Sequence, residues 1–177
     1  MENLLYLNAV LPYIYLFSLW NFRTEGSMQI YSICGTGILI QIIATTIISI
    51  LSRNKSKLAN VNFIVKLLQI PYYILYFVLA TGIFSVLMAL AGVGIFFLPI
   101  LIAVDALIFS TTVIPAEICA IKLKMNNRIT AGRMLFYLIF NTWYIVDLIT
   151  AFKMRNDYRN LGAFVASNPN LIAHVRM

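Results

Sequence analysis

Runs of apolar residues about the length of a membrane-crossing helix, separated by short links that hold most of the charge, constrain this chain more than any other feature. A helix needs about 20 apolar residues to cross the hydrocarbon core of a bilayer. Between Met28 and Leu51 there is no formally charged residue at all. Read this way, the chain divides into five apolar runs, at about 4–20, 28–51, 71–91, 95–116 and 133–152, followed by a polar, basic tail over 153–177. The expected fold is an all-α, polytopic helical transmembrane bundle.

Composition supports this class and excludes others. Of the 177 residues, 62% are hydrophobic and only 11% are charged, less than half of the roughly 25% usual in soluble domains. A soluble enzyme, a nucleic-acid-binding domain and a disordered chain are therefore poor readings. The 13 Lys and Arg outnumber the 6 Asp and Glu, but they sit in short loops. That distribution fixes membrane orientation against an anionic cytoplasmic face rather than binding nucleic acid. Cys34 and Cys119 each lie in an apolar run and form no CxxC pair, so they read as small buried hydrophobes. The amino-terminal Met1-Glu2-Asn3 has no basic segment, and the run from Leu4 to Trp20 contains Pro12 and ends without a small-x-small cleavage pattern. It reads as a retained first span.

The loops carry the punctuation. Asn21–Ser27 is a short polar link holding Arg23, Glu25 and Gly26, and Arg53-Asn54-Lys55-Ser56-Lys57 is a basic loop. Leu58–Gln69 reads either as an interfacial helix or as the first turns of a long third helix that continues through Pro71. Gly92-Val93-Gly94 predicts a tight turn between the third and fourth runs. Lys122–Arg128 is a second basic loop, and Asn168-Pro169-Asn170 is a turn signal in the tail. Trp20, Tyr31, Tyr72, Tyr73, Tyr137 and Trp143 lie near run edges, where such rings anchor at headgroups.

Orientation follows from counting basic residues. With the loops at 52–62 and 122–132 cytoplasmic, five alternating spans place eight of the 13 basic residues inside and five outside. The fifth run makes the difficulty, since both of its ends are basic. If it lies in the interface instead of crossing, four spans remain and every basic residue but Arg23 falls inside. A polar stripe along it, Arg133, Tyr137, Asn141, Tyr144, Ala151 and Arg155 with Asp147 at its edge, suits an interfacial helix and a packed spanning helix equally.

Catalytic signatures are missing. The only histidine is His174, in the tail, and there is no H-E-x-x-H, Gly-rich phosphate loop or G-x-S-x-G elbow. No enzyme activity, cofactor or metal is expected. The informative polar residues are Asp105, Gln41, Thr112 and Asp147. Asp105 falls near the middle of the fourth run, where a carboxylate costs about 2.5–3.5 kcal/mol. It must face protein, water or a partner, either as a proton- or cation-coupling group or as a hydrogen-bonding residue between helices. Thr112 shares its helical face. Asp147 is a second intramembrane carboxylate if the fifth run spans. Gln41 belongs to a row with Gly37, Thr45 and Ser49, a pattern that lets helices approach closely and that could also touch a substrate. Glu117 is expected to pair with Lys122, Lys124 or a basic residue of another loop.

The segment Lys66-Leu67-Leu68-Gln69-Ile70-Pro71-Tyr72-Tyr73-Ile74, with the glycine turn after it and the Asp147 segment, resembles small uncharacterised multi-pass membrane proteins of low-GC bacteria. That resemblance implies a source and no mechanism. Substrate-binding subunits of bacterial vitamin transporters are similar in length and hydropathy, without their ligand or docking motifs. Two functions stay open: a non-enzymatic membrane partner or accessory subunit that docks another membrane protein or its own copy, and a small transporter or permease subunit using an intramembrane carboxylate. Both place the chain in the cell membrane, in contact with the lipid bilayer.

Overall fold

The computed structural model describes residues 2–21, 27–90, 92–126 and 129–167. The link around Arg23, the loop residues Asn127 and Arg128, the expected Asn168-Pro169-Asn170 turn and His174 lie outside them, as do the side chains of Trp20, Tyr31 and Tyr144. After a 3-10 turn, Glu2–Tyr6, come α1 (Leu7–Asn21), α2 (Ser27–Leu51), α3 (Lys55–Ala89), α4 (Gly94–Met125), α5 (Ala131–Phe140) and α6 (Tyr144–Ser167). Three helices are long and apolar enough to cross a membrane: α2 from Ser32, α3 and α4. α1, with 15 residues, is about 22 Å long.

The first four helices run up, down, up and down. The start of the chain meets the end of α2, where the Ser52 hydroxyl donates to Glu2 at 2.9 Å. The start of α3 meets the end of α4, where Lys55 Nζ donates to Asn126 at 2.9 Å. The two basic loops therefore share one end of the bundle. α3 begins at Lys55 and runs unbroken through Pro71 for 35 residues, so of the two readings of 58–69 the long helix holds. Its length is about 52 Å, and a hydrocarbon core is about 30 Å thick. α3 and α4 thus overhang the apolar stretch at the basic end. At the opposite end the expected turn is present. Gly92 takes φ +77, a left-handed conformation that costs other residues about 1–2 kcal/mol. A Cβ at Gly94 would meet the Phe84 carbonyl at 2.9 Å, so α4 can leave α3 this closely only with glycine there.

The fifth run does not form one helix. It breaks after Phe140, and Asn141–Trp143 turn the chain back on itself. Asn and Thr offer the backbone alternatives to helical bonding. Here the Thr142 hydroxyl donates to the Ile139 carbonyl at 2.6 Å, and the Asn141 amide oxygen accepts from Thr150 at 2.6 Å. Arg133 and Tyr137 both bond Asp157, each at 2.7 Å, so α5 and α6 are the antiparallel arms of a hairpin. α6 in turn runs antiparallel to the first third of α3: Asp147 meets Lys66, Phe152 meets Phe63, and Arg155 and Arg159 meet Ser56, Lys57 and Asn60. Both ends of the run therefore lie at the basic end. The stretch 153–167, expected as tail, continues α6; docking on α3 gives it a surface to pack against.

Two buried clusters result. One lies at the basic end and joins Leu5, Leu58, Val61, Leu123, Tyr137 and Met154. The other lies in the shaft and joins Ile38, Tyr72 and Ile108, with Tyr13, Tyr73 and Tyr76 against it. Tyr72 is 1% exposed, with Tyr13, Tyr73 and Tyr76 rings centred within 5.9 Å. These tyrosines are internal packing, not headgroup anchors. Tyr137 is buried too, whereas Trp143 stays exposed.

Candidate functional site

One face of α3 organises the polar interior. Lys66, Gln69 and Tyr73 recur at spacings of three and four, so they stack along that face. Lys66, at the base of the apolar stretch, forms an ion pair with Asp147, and both are buried. α6 supplies that carboxylate because the Asn141–Trp143 turn brings its first turn to this level. Thr150, one turn on, lies 2.8 Å from the Asp147 carbonyl and ties the pair to Asn141.

The next turn of α3 reaches the other helices. Gln69 Nε2 donates to the Asn8 carbonyl at 2.6 Å, and Tyr73 donates to Gln69 Oε1 at 2.9 Å. The Asn8 side chain donates to the Thr111 carbonyl at 3.2 Å and accepts from Gln41 at 2.9 Å. The Thr45 hydroxyl is 3.0 Å from Asn8 Nδ2, and Tyr15 donates to Gln41 Oε1 at 3.2 Å. One network thus links α1, α2, α3 and α4. Apolar surroundings make an unmade bond expensive and a made one firm. The row Gly37, Gln41, Thr45, Ser49 faces inward, and Gly37 leaves space for Tyr15, which a Cβ would approach to 3.3 Å. The row serves close approach of α1 to α2.

The four residues singled out from sequence fall in different surroundings. Gln41 belongs to the Asn8 network and Asp147 to the Lys66 pair. Thr112 is buried and donates to the Phe109 carbonyl of its own helix at 3.0 Å. Asp105 lies about 17 Å along α4 from the glycine turn. It lines an open groove between α3 and α4, about 280 Å³ in volume, with Tyr76, Phe77, Thr81, Phe84 and Leu98. The Tyr76 hydroxyl donates to the Leu101 carbonyl at 2.6 Å, holding the groove's floor. Lys122 does not serve Glu117 as expected. Its ammonium donates to the carbonyls of Ser49, Ile50 and Ser52 at 2.7, 3.0 and 2.9 Å. It thereby caps the free carbonyls at the end of α2, where a cation also complements the helix dipole.

Asn8, Lys66 and Gln69 were not among the sequence candidates. Their signal was available: Asn8 is a lone amide inside the first apolar run, and Lys66 and Gln69 share one helical face leading into the third. In the α5–α6 hairpin, burial and the bond to Asp157 push the Tyr137 phenol up to about 12. It therefore stays a neutral donor to Asp157, which also holds Arg133. Among the described residues, no three His, Cys, Asp or Glu side chains gather as metal ligands would.

No curated protein and no solved structure matches the chain. A family model does match, over residues 6–160. That range takes in α1 to α5 and most of α6, the Lys66–Asp147 pair, the Asn8 network and Asp105, and on this ground the chain belongs to DUF6652, a family of unknown function.

Proposed function

We propose that this protein is a non-enzymatic membrane subunit that docks a helix of a different membrane protein in the α3–α4 groove at Asp105. The observation that carries the reading is the place of Asp105: a carboxylate well inside the length of α4 that lines a groove opening outward between α3 and α4. A carboxylate at that depth favours a partner helix bearing a Lys, an Arg or an amide donor. A different protein is favoured over a second copy of this chain, because the described Lys and Arg lie toward the basic end and not at the level of Asp105. The alternative, a small transporter or permease subunit, would bring Asp105, Gln41 and Asp147 to one path. Gln41 is held by Asn8 and Tyr15 and Asp147 by Lys66, so that reading stands second.

In this reading the basic end faces the cytoplasm, α1–α4 cross the bilayer, and the α5–α6 hairpin lies in the interface with Trp143 at the headgroups. Single cysteines at Ser56 and Asn156, in a Cys-free background, are then both protected from an impermeant thiol reagent in intact cells. Labelling at Asn156 alone would restore a fifth crossing.

Docking is tested with a photo-crosslinking residue at Ile102 in native membranes. The expected product is an adduct with one membrane protein that is retained in Asp105→Asn and lost in Asp105→Leu. Replacing the donor residue of the captured helix with leucine should abolish it as well. Adducts only between copies of this chain, or an adduct indifferent to Asp105→Leu, would overturn the reading. Proton-coupled uptake by the purified protein in liposomes that vanishes in Asp105→Asn would put the transporter in its place.

A further inference from the structure

The basic end holds more cations than its own acidic groups can serve. Asp147 is taken by Lys66, Asp157 by Arg133 and Tyr137, Glu2 bonds Ser52, and Glu117 makes no ion pair among the described residues. Lys55 donates to Asn126 and Lys122 caps α2. Arg53, Lys57, Lys124, Lys153, Arg155 and Arg159 make no ion pair among the described residues. Three of these six, Lys57, Arg155 and Arg159, line a single cleft of about 310 Å³ together with Ser56 and Asn60. Among the described residues no carboxylate lines it.

The cleft is built by the antiparallel docking of α6 on the first two turns of α3. The Arg155 guanidinium lies 5.1 Å over the Phe63 ring. Stacking of that kind fixes the plane of the group and leaves its N–H edges to bond elsewhere. Ser56 and Asn60 add neutral donors, and the first turn of α3, capped by Asn54 at 3.0 Å from the Lys57 amide, adds the positive end of the helix dipole. Three like charges around one concavity repel each other unless an anion lies among them. Five donor-bearing side chains with no acceptor carboxylate suit a tetrahedral phosphate oxyanion, which accepts several hydrogen bonds at once.

We propose that this cleft is a phosphate-binding site, filled by the phosphate of either an anionic lipid headgroup or a soluble phosphate ester. It lies at the basic end and shares no lining residue with the Asp105 groove, so it stands or falls independently of the docking groove.

The test uses the full-length protein in nanodiscs and two triple variants of equal charge change. Lys57→Gln/Arg155→Gln/Arg159→Gln empties the cleft, and Arg53→Gln/Lys124→Gln/Lys153→Gln removes three unpaired cations elsewhere at the same end. Glycerol phosphate is titrated into phosphatidylcholine nanodiscs, and lipid adducts are counted by native mass spectrometry from discs containing phosphatidylglycerol. The cleft variant is expected to lose binding by at least about tenfold, as befits lost charge-assisted hydrogen bonds, and the other variant to stay within about threefold. Binding of glycerol phosphate in neutral discs identifies a soluble ester; phosphatidylglycerol adducts without it identify a lipid. Equal losses in the two variants, or no saturable binding of either probe by the wild type, would overturn the proposal. A thermal melt of each variant separates lost binding from lost folding.

Discussion

The basic end and the shaft of this molecule are built on opposite rules. At the basic end, Leu58 and Leu123 are fully buried between helices while Arg53, Lys57 and Arg159 face outward. That is the arrangement of a water-soluble domain. In the shaft the large apolar side chains point away from the protein, with Phe77 71% and Phe96 80% exposed, and the residues turned inward include Gln41, Thr45, Gln69 and Thr111. Water drives the first arrangement, since apolar surface gains by leaving it. Lipid would give no such drive, because its chains are as apolar as leucine, and the shaft is compatible with such surroundings, where packing and interhelical hydrogen bonds hold helices together. α3 passes through both regimes, and Lys66 marks the level at which it changes from one to the other.

The largest effect is expected where the regimes meet. Lys66→Met leaves the Asp147 carboxylate buried without its cation, a change that costs about 3–5 kcal/mol. Lys66→Met/Asp147→Leu should recover most of that loss, because an apolar pair of similar volume needs no desolvation. Thermal unfolding of both variants in detergent measures it. Equal destabilisation by the single and double variants would mean that the pair is not the unit that holds α6 to α3.

Next in size is the contrast itself. Leu123→Ala at the basic end should cost about 2–5 kcal/mol through lost burial and an unfilled cavity. Phe77→Ala, on the outward face of the shaft, should stay within about 0.5 kcal/mol, as surface changes usually do. Similar melting shifts for the two would show that the shaft's outer face is packed, contrary to the division drawn here.

The smallest effect expected of a buried side chain belongs to the shaft's polar network. Asn8→Leu removes bonds to Gln41, Thr45 and the Thr111 carbonyl, each worth about 0.6–2 kcal/mol at most in such surroundings. A net loss of about 1–2 kcal/mol is expected, read by thermal unfolding or by the Gln41→Leu double-mutant cycle. An additive cycle would show that the two amides do not act together.

The helical class, the three long apolar helices, the glycine turn at 92–94 and the shared end of the two basic loops were legible in the residues. Each depends on local properties: the length of an apolar run, the conformational freedom of glycine, the clustering of charge. The break at Asn141-Thr142 was also present in the sequence, but it lies inside a run whose hydropathy masks it. The site was far less legible. Asp105 was visible by its depth alone, whereas Asn8, Lys66 and Gln69 look like stray polar residues at the edges of apolar runs.

Their meaning depends on partners that are distant along the chain. Lys66 and Asp147 are 81 residues apart, and Asn8 and Thr111 are 103 apart. Hydropathy and helical period determine which stretches become helices and which faces are polar. They do not determine which polar face meets which, because several pairings satisfy the same donors and acceptors equally well. The tertiary structure decided that choice: the doubling back of α5 and α6 carried the Asp147 carboxylate to Lys66, put both basic ends of the fifth run on one side, and left Asp105 in a groove of its own.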